Sequence, residues 1–281
     1  MQKHIMLDPK RESYIPFFDD DFPELAFRAS DDNTELYEIV FDLVAEWRSL
    51  SYASALPATI PAALAAFHDG YTNDVGNQTG ILKFADTILK KVALEAPDLT
   101  SDPETQKRLH DKLVNIAGEI TAINENLDIR MNADSVWQAY LSLVPFTLGL
   151  SGTLRVVFIA MYSAYENFVV RCLSCANDGQ QFKITKHKKF EEAFRGTFGN
   201  LFDECWGNED FRPFRLVRNS FVHAGGRVTN QLRDVDIPVV VYENRLHVYP
   251  EHIRALYSVL KNPALKLISH PSFHQSSEGA T

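Results

Sequence analysis

The residues best suited to catalysis are an arginine and a histidine that lie five positions apart, Arg218 and His223. Arginine stays charged and can bind phosphate oxygens through two of its N–H groups, and histidine exchanges protons near neutral pH. Asn219 lies four residues before His223 and shares a helix face with it. These three side chains could bind a phosphodiester and move its protons without a metal ion, and we predict them to be catalytic.

The helix that carries these residues should end close to His223. Gly225 and Gly226 follow, and glycine adopts the left-handed conformation past a helix end at little cost. In a regular helix Arg218 and His223 point about 140° apart. Either the helix ends before His223, or another element or another chain completes the site. The spacing alone also fits a pair that only caps the helix.

The charge of the chain is unevenly distributed. The 281 residues carry a net charge of −9, which argues against a nucleic-acid partner. Residues 181–233, however, contain ten Lys and Arg and six Asp and Glu, a balance of +4. A basic stretch around the pair is what phosphate binding needs, and Arg215 and Arg227 within it are predicted to bind substrate. A solvated surface explains the stretch nearly as well.

The three cysteines do not form a recognisable zinc motif. Cys172 and Cys175 form one CxxC, and His187 and Cys205 are only nominal further ligands. Because structural zinc needs four ligands, we interpret the cysteines as buried structural thiols in a reducing compartment. We predict neither a metal nor a cofactor.

One uncharged stretch is long enough to cross a membrane. Residues 135–154 carry no formal charge over 20 positions, and about 20 apolar residues span a bilayer. Pro145 and Gly149 favour instead a buried helix pair with a break near one of them. We therefore expect a cytoplasmic chain without a membrane partner.

Hydrophobic periodicity predicts a mainly α fold, a multi-helix bundle with one small β-hairpin near the C-terminus. The first thirty-odd residues and 70–80 are predicted to be irregular. The hairpin is expected over 237–249, and Asn262–Pro263 is expected to end the last helix. Helices are predicted over 34–50, 56–67, 81–94, 103–127, 154–175, 188–202, 210–224 and 250–260.

The most regular predicted helix is 103–127, with Asp102 as its N-cap and Pro103 in first position. Its apolar residues recur at spacings of four and three, the pattern of a two-helix packing seam. The seam fits both self-association and packing within one chain. It consists of Leu109, Leu113, Ile116, Ile120, Ile123 and Leu127.

Residues 155–260 resemble the HEPN superfamily of helical domains. Residues 161–168 read Met-Tyr-Ser-Ala-Tyr-Glu-Asn-Phe, which is similar to the first core helix of defence-associated members. Arg218 and His223 fit the family's Arg-x4-6-His motif, with a polar residue directly after the arginine, and the Gly pair, hairpin and closing helix follow in order. On this basis we expect an N-terminal helical region of unknown role (1–149), a HEPN-like domain (150–265) and a flexible tail (266–281).

The resemblance implies a metal-independent endoribonuclease that acts as a homodimer, in a toxin or antiviral (abortive infection) setting. Two motifs would meet across a two-fold axis. Arg218 would bind the scissile phosphate, His223 would act as general base or acid for attack by the 2′-hydroxyl, and Asn219 would orient one of them. Glu166 would position Arg218 from the neighbouring helix. The products would be a 2′,3′-cyclic phosphate and a 5′-hydroxyl.

The resemblance also implies possible control by an antitoxin or regulatory protein. Some HEPN toxins carry a tyrosine two residues after the histidine, which a nucleotidyltransferase antitoxin modifies. Here that position is Gly225, so this form of control is not expected. The alternative function is a non-catalytic HEPN-like module that binds RNA or a protein partner.

Overall fold

The computed structural model describes residues 10–76, 78–95, 102–126 and 132–274. The described chain is mainly α, with eleven α-helices and one two-stranded antiparallel hairpin near the C-terminus, as the periodicity predicted. Two short 3-10 helices lie at Arg11–Ser13 and Pro271–Phe273. The α-helices are α1 Asp21–Ser30, α2 Thr34–Gly76, α3 Gln78–Glu95, α4 Pro103–Asn126, α5 Ala133–Leu141, α6 Val144–Cys175, α7 His187–Phe198, α8 Leu201–Cys205, α9 Phe211–Ala224, α10 Asn230–Arg233 and α11 Pro250–Ile268.

Contacts divide the described chain into two compact units, one formed by the residues up to Ala58 together with those from Leu143 onward, the other by 59–142. The first unit therefore contains α1 and the first part of α2 as well as α6 to α11. The boundary that we expected between residues 149 and 150 falls inside α6.

The core of the first unit lies around α6, against which α7, α9 and α11 pack. Helix α6 has an apolar stripe that is buried, including Phe158, Tyr162 and Phe168. Trp47 of α2 donates its indole N–H to the carbonyl of Met161 at 3.3 Å. The stripe thus places one face of α6 in the core and leaves its polar positions to face a neighbouring helix.

In the second unit α3 packs against α4. The predicted N-cap of α4 is confirmed, because Asp102 accepts a hydrogen bond from the Thr105 backbone N–H at 2.8 Å. The predicted seam is only partly buried: Leu109 and Leu113 are half-buried and Ile116 is 51% exposed. The side chains of Ile120, Ile123 and Leu127 lie outside the described part of the chain.

The predicted hairpin is present but short. Strand β1 (Val240–Tyr242) pairs with β2 (Arg245–His247), with Val241 opposite Leu246. The turn residues Glu243 and Asn244 have φ values of 48° and 62°, as a type I′ turn requires.

Several helix boundaries differ from the prediction. Helix α1 occupies a region that we expected to be irregular, and Asp19 accepts from the backbone N–H of its residue Phe22 at 2.9 Å. Helix α2 continues through Pro57 and Pro61 to Gly76, so the predicted loop over 70–80 is wrong. The alanines around the two prolines have the highest helix propensity. The predicted helix 188–202 is instead α7 and α8, separated at Gly199, where φ is 59°.

The last helix does not end at Pro263. Helix α11 runs to Ile268 with Pro263 inside it, and Leu267 and Ile268 are fully buried. An interior proline costs about 3 kcal/mol, whereas burying a leucine or isoleucine contributes about 2 kcal/mol each. Packing therefore outweighs the missing hydrogen bond.

Part of the segment that we assigned to the tail, residues 266–274, forms helical structure. They complete α11 and form the 3-10 helix 271–273, in which Phe273 is buried. The Asn33 side chain donates to the Phe273 carbonyl at 3.3 Å. The remainder of the predicted tail lies outside the described residues.

Helix α6 begins at the predicted break near Pro145, which lies in its first turn. By length and composition alone, α6 is one described helix that could cross a membrane, and 33% of its most apolar window is buried in the protein. Its first turns are only partly buried, because Thr147 and Leu150 are buried whereas Val144 is 66% and Leu148 68% exposed.

Candidate active site

Helix α9 presents one apolar and one polar face. Its residues Phe211, Phe214, Val217 and Phe221 are buried at spacings of three and four, the pattern of a helix that packs on one side. The Phe158 ring of α6 lies 6.3 Å from Phe214 and 6.1 Å from Phe221. This packing fixes which way the predicted catalytic side chains point.

The guanidinium of Arg218 lies against α6. Its Nη2 donates to Glu166 Oε2 at 2.8 Å and to Ser163 Oγ at 3.4 Å, and its Nη1 donates to Asn219 Oδ1 at 3.0 Å. The side chains of Arg218 and Glu166 are 22% and 15% exposed. Arg218 Nε is buried and has no hydrogen-bond partner among the described residues. The arginine is thus held in place while part of its donor capacity stays unused.

Burial has the largest effect on the pKa of the carboxyl group in this ion pair. It raises the pKa of Glu166, and the nearby charges of Arg218 and Arg215 only partly oppose that shift. Burial also raises the pKa of the Tyr162 hydroxyl well above its ordinary value, with the charges of Arg215 and Glu166 acting in opposite directions. The cluster is therefore poorly solvated, and an anion that entered it would meet a positive charge with little water around it.

His223 points about 140° away from Arg218 around the axis of α9. Its side chain is exposed, and within the described chain it makes no hydrogen bond or ion pair. Helix α9 ends one residue later, where Gly225 and Gly226 have φ values of 61° and 78°. A Cβ atom at Gly226 would lie 2.9 Å from the Phe221 ring. Helical geometry thus keeps the angular separation between Arg218 and His223, because the helix continues past His223.

The hairpin fixes the segment that follows His223. Gly226 accepts from the Leu246 N–H at 2.8 Å, and Val228 donates to Asn244 at 3.0 Å. Ser220 of α9 donates its hydroxyl to the Arg227 carbonyl at 2.5 Å. The side chain of Arg227 is exposed, and its backbone forms an isolated antiparallel β-bridge with Arg245 of β2. Arg227 therefore lies beyond the end of α9 and not in the Arg218 cluster.

Arg215 lies between the Arg218 cluster and an open groove. Its guanidinium is 6.0 Å from the centroid of the buried Trp206 ring, and its charge reaches Glu166 and Tyr162. On its other side the groove has a volume of about 520 Å³. The groove is lined by Arg212, Arg215, Leu216, Asn230, Gln231 and Asp234.

The structure brings together Arg218, Asn219 and Glu166, with Arg215 nearby, and places His223 and Arg227 elsewhere. Asn219 contacts Arg218 and not His223, although it shares a helix face with the histidine. Ser163 was missed. It lies three residues before Glu166, and that spacing on one helix face was the signal that could have identified it.

The cysteines are not arranged as ligands. Among the described residues no group of three or more His, Cys, Asp or Glu side chains could hold a metal ion. Cys172 and Cys205 are buried, and the Cys205 thiol donates to the Pro263 carbonyl at 3.4 Å. Burial raises the pKa of Cys175 to about 11 and that of Cys205 to about 12, so both thiols stay protonated at neutral pH.

Comparison with known proteins finds no match for this chain: no family model fits it, and neither a curated protein nor a solved structure is significantly similar to it.

Proposed function

We propose that this protein is a metal-independent endoribonuclease whose active site is completed by a second copy of the chain. One observation carries the proposal: a half-buried arginine is anchored by a carboxylate, and an exposed histidine without a partner in the described chain lies about a turn and a half further along the same helix. The biological setting that we propose is a toxin or antiviral effector in the cytoplasm, under the control of an antitoxin or regulatory protein.

The reaction needs only groups that two copies of this site offer. His223 of one copy takes the proton of a ribose 2′-hydroxyl, whose oxygen forms a bond to the adjacent phosphorus while the bond to the 5′-oxygen breaks. The protonated His223 of the other copy then gives its proton to the leaving 5′-oxygen. Arg218 stabilises the additional negative charge on the phosphate oxygens. The products are a 2′,3′-cyclic phosphate and a 5′-hydroxyl.

Two copies supply what one copy lacks. Arg218 is turned toward α6, whereas His223 faces outward, so the two side chains of one chain do not converge on one phosphate. A two-fold axis near the end of α9 would bring two imidazoles together, one as base and one as acid, with an arginine on each side. The arginine of one chain would then act with the histidine of the other.

The decisive experiment uses purified protein and single-stranded RNA in the presence of EDTA. We expect the wild type to cleave and to leave cyclic-phosphate ends, and His223→Ala to abolish cleavage without loss of stability, because this side chain is exposed. Arg28→Gln, an exposed arginine on α1, serves as a control that keeps activity. Intact RNA after incubation with dimeric wild type would contradict the proposal.

Mixed dimers test the composite site. If both histidines are needed, randomly mixed wild-type and His223→Ala chains in equal amounts should retain about one quarter of the wild-type activity, since only dimers of two wild-type chains are complete. A retained activity of about one half would show that each chain works alone.

A second function is supported by the same ion pair. The shortest hydrogen bond of Arg218 is to Glu166. This fits an arginine that stabilises the fold of a non-catalytic binding module. In that case Arg218→Ala would change the affinity for RNA or a protein partner, and the wild type would have no cleavage activity to lose.

A further inference from the structure

The groove beside Arg215 lies on the same face of α9 as His223. Along this helix Arg212, Leu216, Asn219 and His223 recur at spacings of four, three and four, so they form one row on the helix. Arg212 and His223 are exposed at its ends, and Leu216 and Asn219 are half-buried between them. Arg215 flanks the row. Arg212, Arg215 and Leu216 form one side of the groove, and Asn230 and Gln231 of α10 with Asp234 form the rest.

The two arginines of the groove are free to bind an anion. Arg212 makes one ion pair, with Glu209 at 3.4 Å, and both side chains are mostly exposed. Such a pair contributes little and exchanges readily. Arg215 makes no hydrogen bond or ion pair with any described residue, and it rests against Trp206. Two arginines three positions apart therefore face a groove in which Asp234 is the one acidic residue of the described lining.

The remaining lining suits a nucleotide. Asn230 and Gln231 each carry an amide that donates and accepts, and Asp234 accepts from hydroxyl or amino groups. All three are exposed. A volume of about 520 Å³ lies within the range of about 300–1,000 Å³ usual for ligand sites. Guanidinium groups bind phosphate, and carboxamides and a carboxylate can contact ribose hydroxyls or base edges.

We infer that this groove is a subsite for the RNA strand, in which Arg212 and Arg215 bind a backbone phosphate next to the scissile one and the residues of α10 contact its nucleoside. Arg215 precedes His223 by eight residues, about 12 Å along the helix axis. A strand that follows this row of α9 thus reaches both places. The position relative to the scissile phosphate rests on the proposed function, whereas binding in the groove does not.

The test measures binding apart from cleavage. In a His223→Ala background, fluorescence anisotropy follows a labelled single-stranded RNA of about ten nucleotides over a series of salt concentrations. We expect Arg212→Gln with Arg215→Gln to weaken affinity about tenfold and to lower the slope of log Kd against log salt by about 1.4. Arg28→Gln with Lys112→Gln, two exposed cations outside the groove and outside residues 181–233, is the matched control and should change neither value much.

Each outcome decides a different point. Equal affinities and slopes for the groove variant and the control variant would overturn the inference. Loss of AMP binding in the groove variant, with RNA affinity unchanged, would also overturn it, because the groove would then take a free nucleotide. If the groove effect is present but wild-type protein cleaves no RNA, the proposed function fails and the groove remains a strand-binding site.

Discussion

The first unit contains two arginine–carboxylate sites, at Arg195 and Arg218, that differ in burial and in how many of the arginine nitrogens are hydrogen-bonded. Arg195 of α7 donates from Nε to Glu191 at 3.0 Å and from Nη1 and Nη2 to Asp203 at 2.8 and 2.6 Å. All three of its nitrogens are thus occupied, and its guanidinium lies 4.4 Å from the Phe202 ring centroid. Arg218 has one carboxylate partner, and its Nε has none within the described chain.

The carboxyl groups of the two sites differ in the direction of their pKa shift. Hydrogen bonds from Arg195 lower the pKa of Asp203, which is well solvated. Burial raises the pKa of Glu166 although Arg218 lies beside it. The comparison indicates that the Arg195 pairs are satisfied surface interactions, whereas the Arg218 pair carries a desolvation cost and keeps donors unused. Such an imbalance is typical of functional sites.

The largest expected difference is in catalysis. Arg218→Gln should lower the rate of RNA cleavage about 10²–10³-fold, because a donor that stabilises developing phosphate charge is lost. Arg195→Gln should leave the rate unchanged. Single-turnover cleavage of the same RNA measures both, with circular dichroism to confirm that each variant is folded. Equal losses in the two variants would remove the distinction between the sites.

A smaller difference is expected in stability. Glu166→Ala should lower the free energy of unfolding by about 1–3 kcal/mol, since it leaves the half-buried Arg218 without its closest acceptor. Asp203→Ala should change it little, because that side chain is 60% exposed and water replaces it. Urea unfolding monitored by tryptophan fluorescence provides the measurement. A greater loss for Asp203→Ala would reverse our interpretation of which pair the fold depends on.

The smallest effect is a difference in the sign of pH dependence. Because the folded pKa of Asp203 is lowered, its carboxylate stabilises the fold at neutral pH, and this contribution is lost as the pH falls through that pKa. The pKa of Glu166 is higher in the folded than in the unfolded state, so the folded state binds this proton more tightly. The contribution of Glu166 to stability is therefore greatest at low pH. It falls as the pH rises from the unfolded pKa to the folded pKa.

Isosteric variants separate the opposite pH dependences that Asp203 and Glu166 give to stability. Near pH 7, Asp203→Asn should be less stable than the wild type and Glu166→Gln more stable. As the pH falls, the difference for Glu166→Gln should disappear once the pH is below the ordinary glutamate pKa. The difference for Asp203→Asn should persist to a lower pH, because the folded pKa of Asp203 is lowered. Thermal unfolding across this range checks the expectation. If both variants shift stability in the same direction, burial does not control the Glu166 carboxyl.

Much of the local structure could be predicted from the sequence. The predicted helices 154–175 and 210–224, the Gly pair after the second helix and the predicted hairpin over 237–249 identified the elements that carry the site. The errors arose where packing opposes a local signal. Pro263 was expected to end a helix, yet burial of Leu267 and Ile268 keeps the chain helical.

The candidate site was only partly accessible to the same reasoning. The Arg218–His223 spacing indicates two directions on one helix, but it says nothing about what each side chain meets. Ser163 lies 55 residues from Arg218 in sequence, and the groove depends on how α10 returns toward α9. Both contacts join residues from different helices, and the local periodicity of the sequence does not indicate which helices pack together.

The sequence by itself determined the α-helical class, the faces of α6 and α9 and the end of α9 at Gly225. These properties follow from the 3.6-residue period and from the φ values that glycine allows. The tertiary structure alone decided that Ser163 contacts Arg218, that His223 is exposed and that Arg212 and Arg215 line a groove. Burial and long-range contacts depend on which helices pack together, and that is a property of the whole fold.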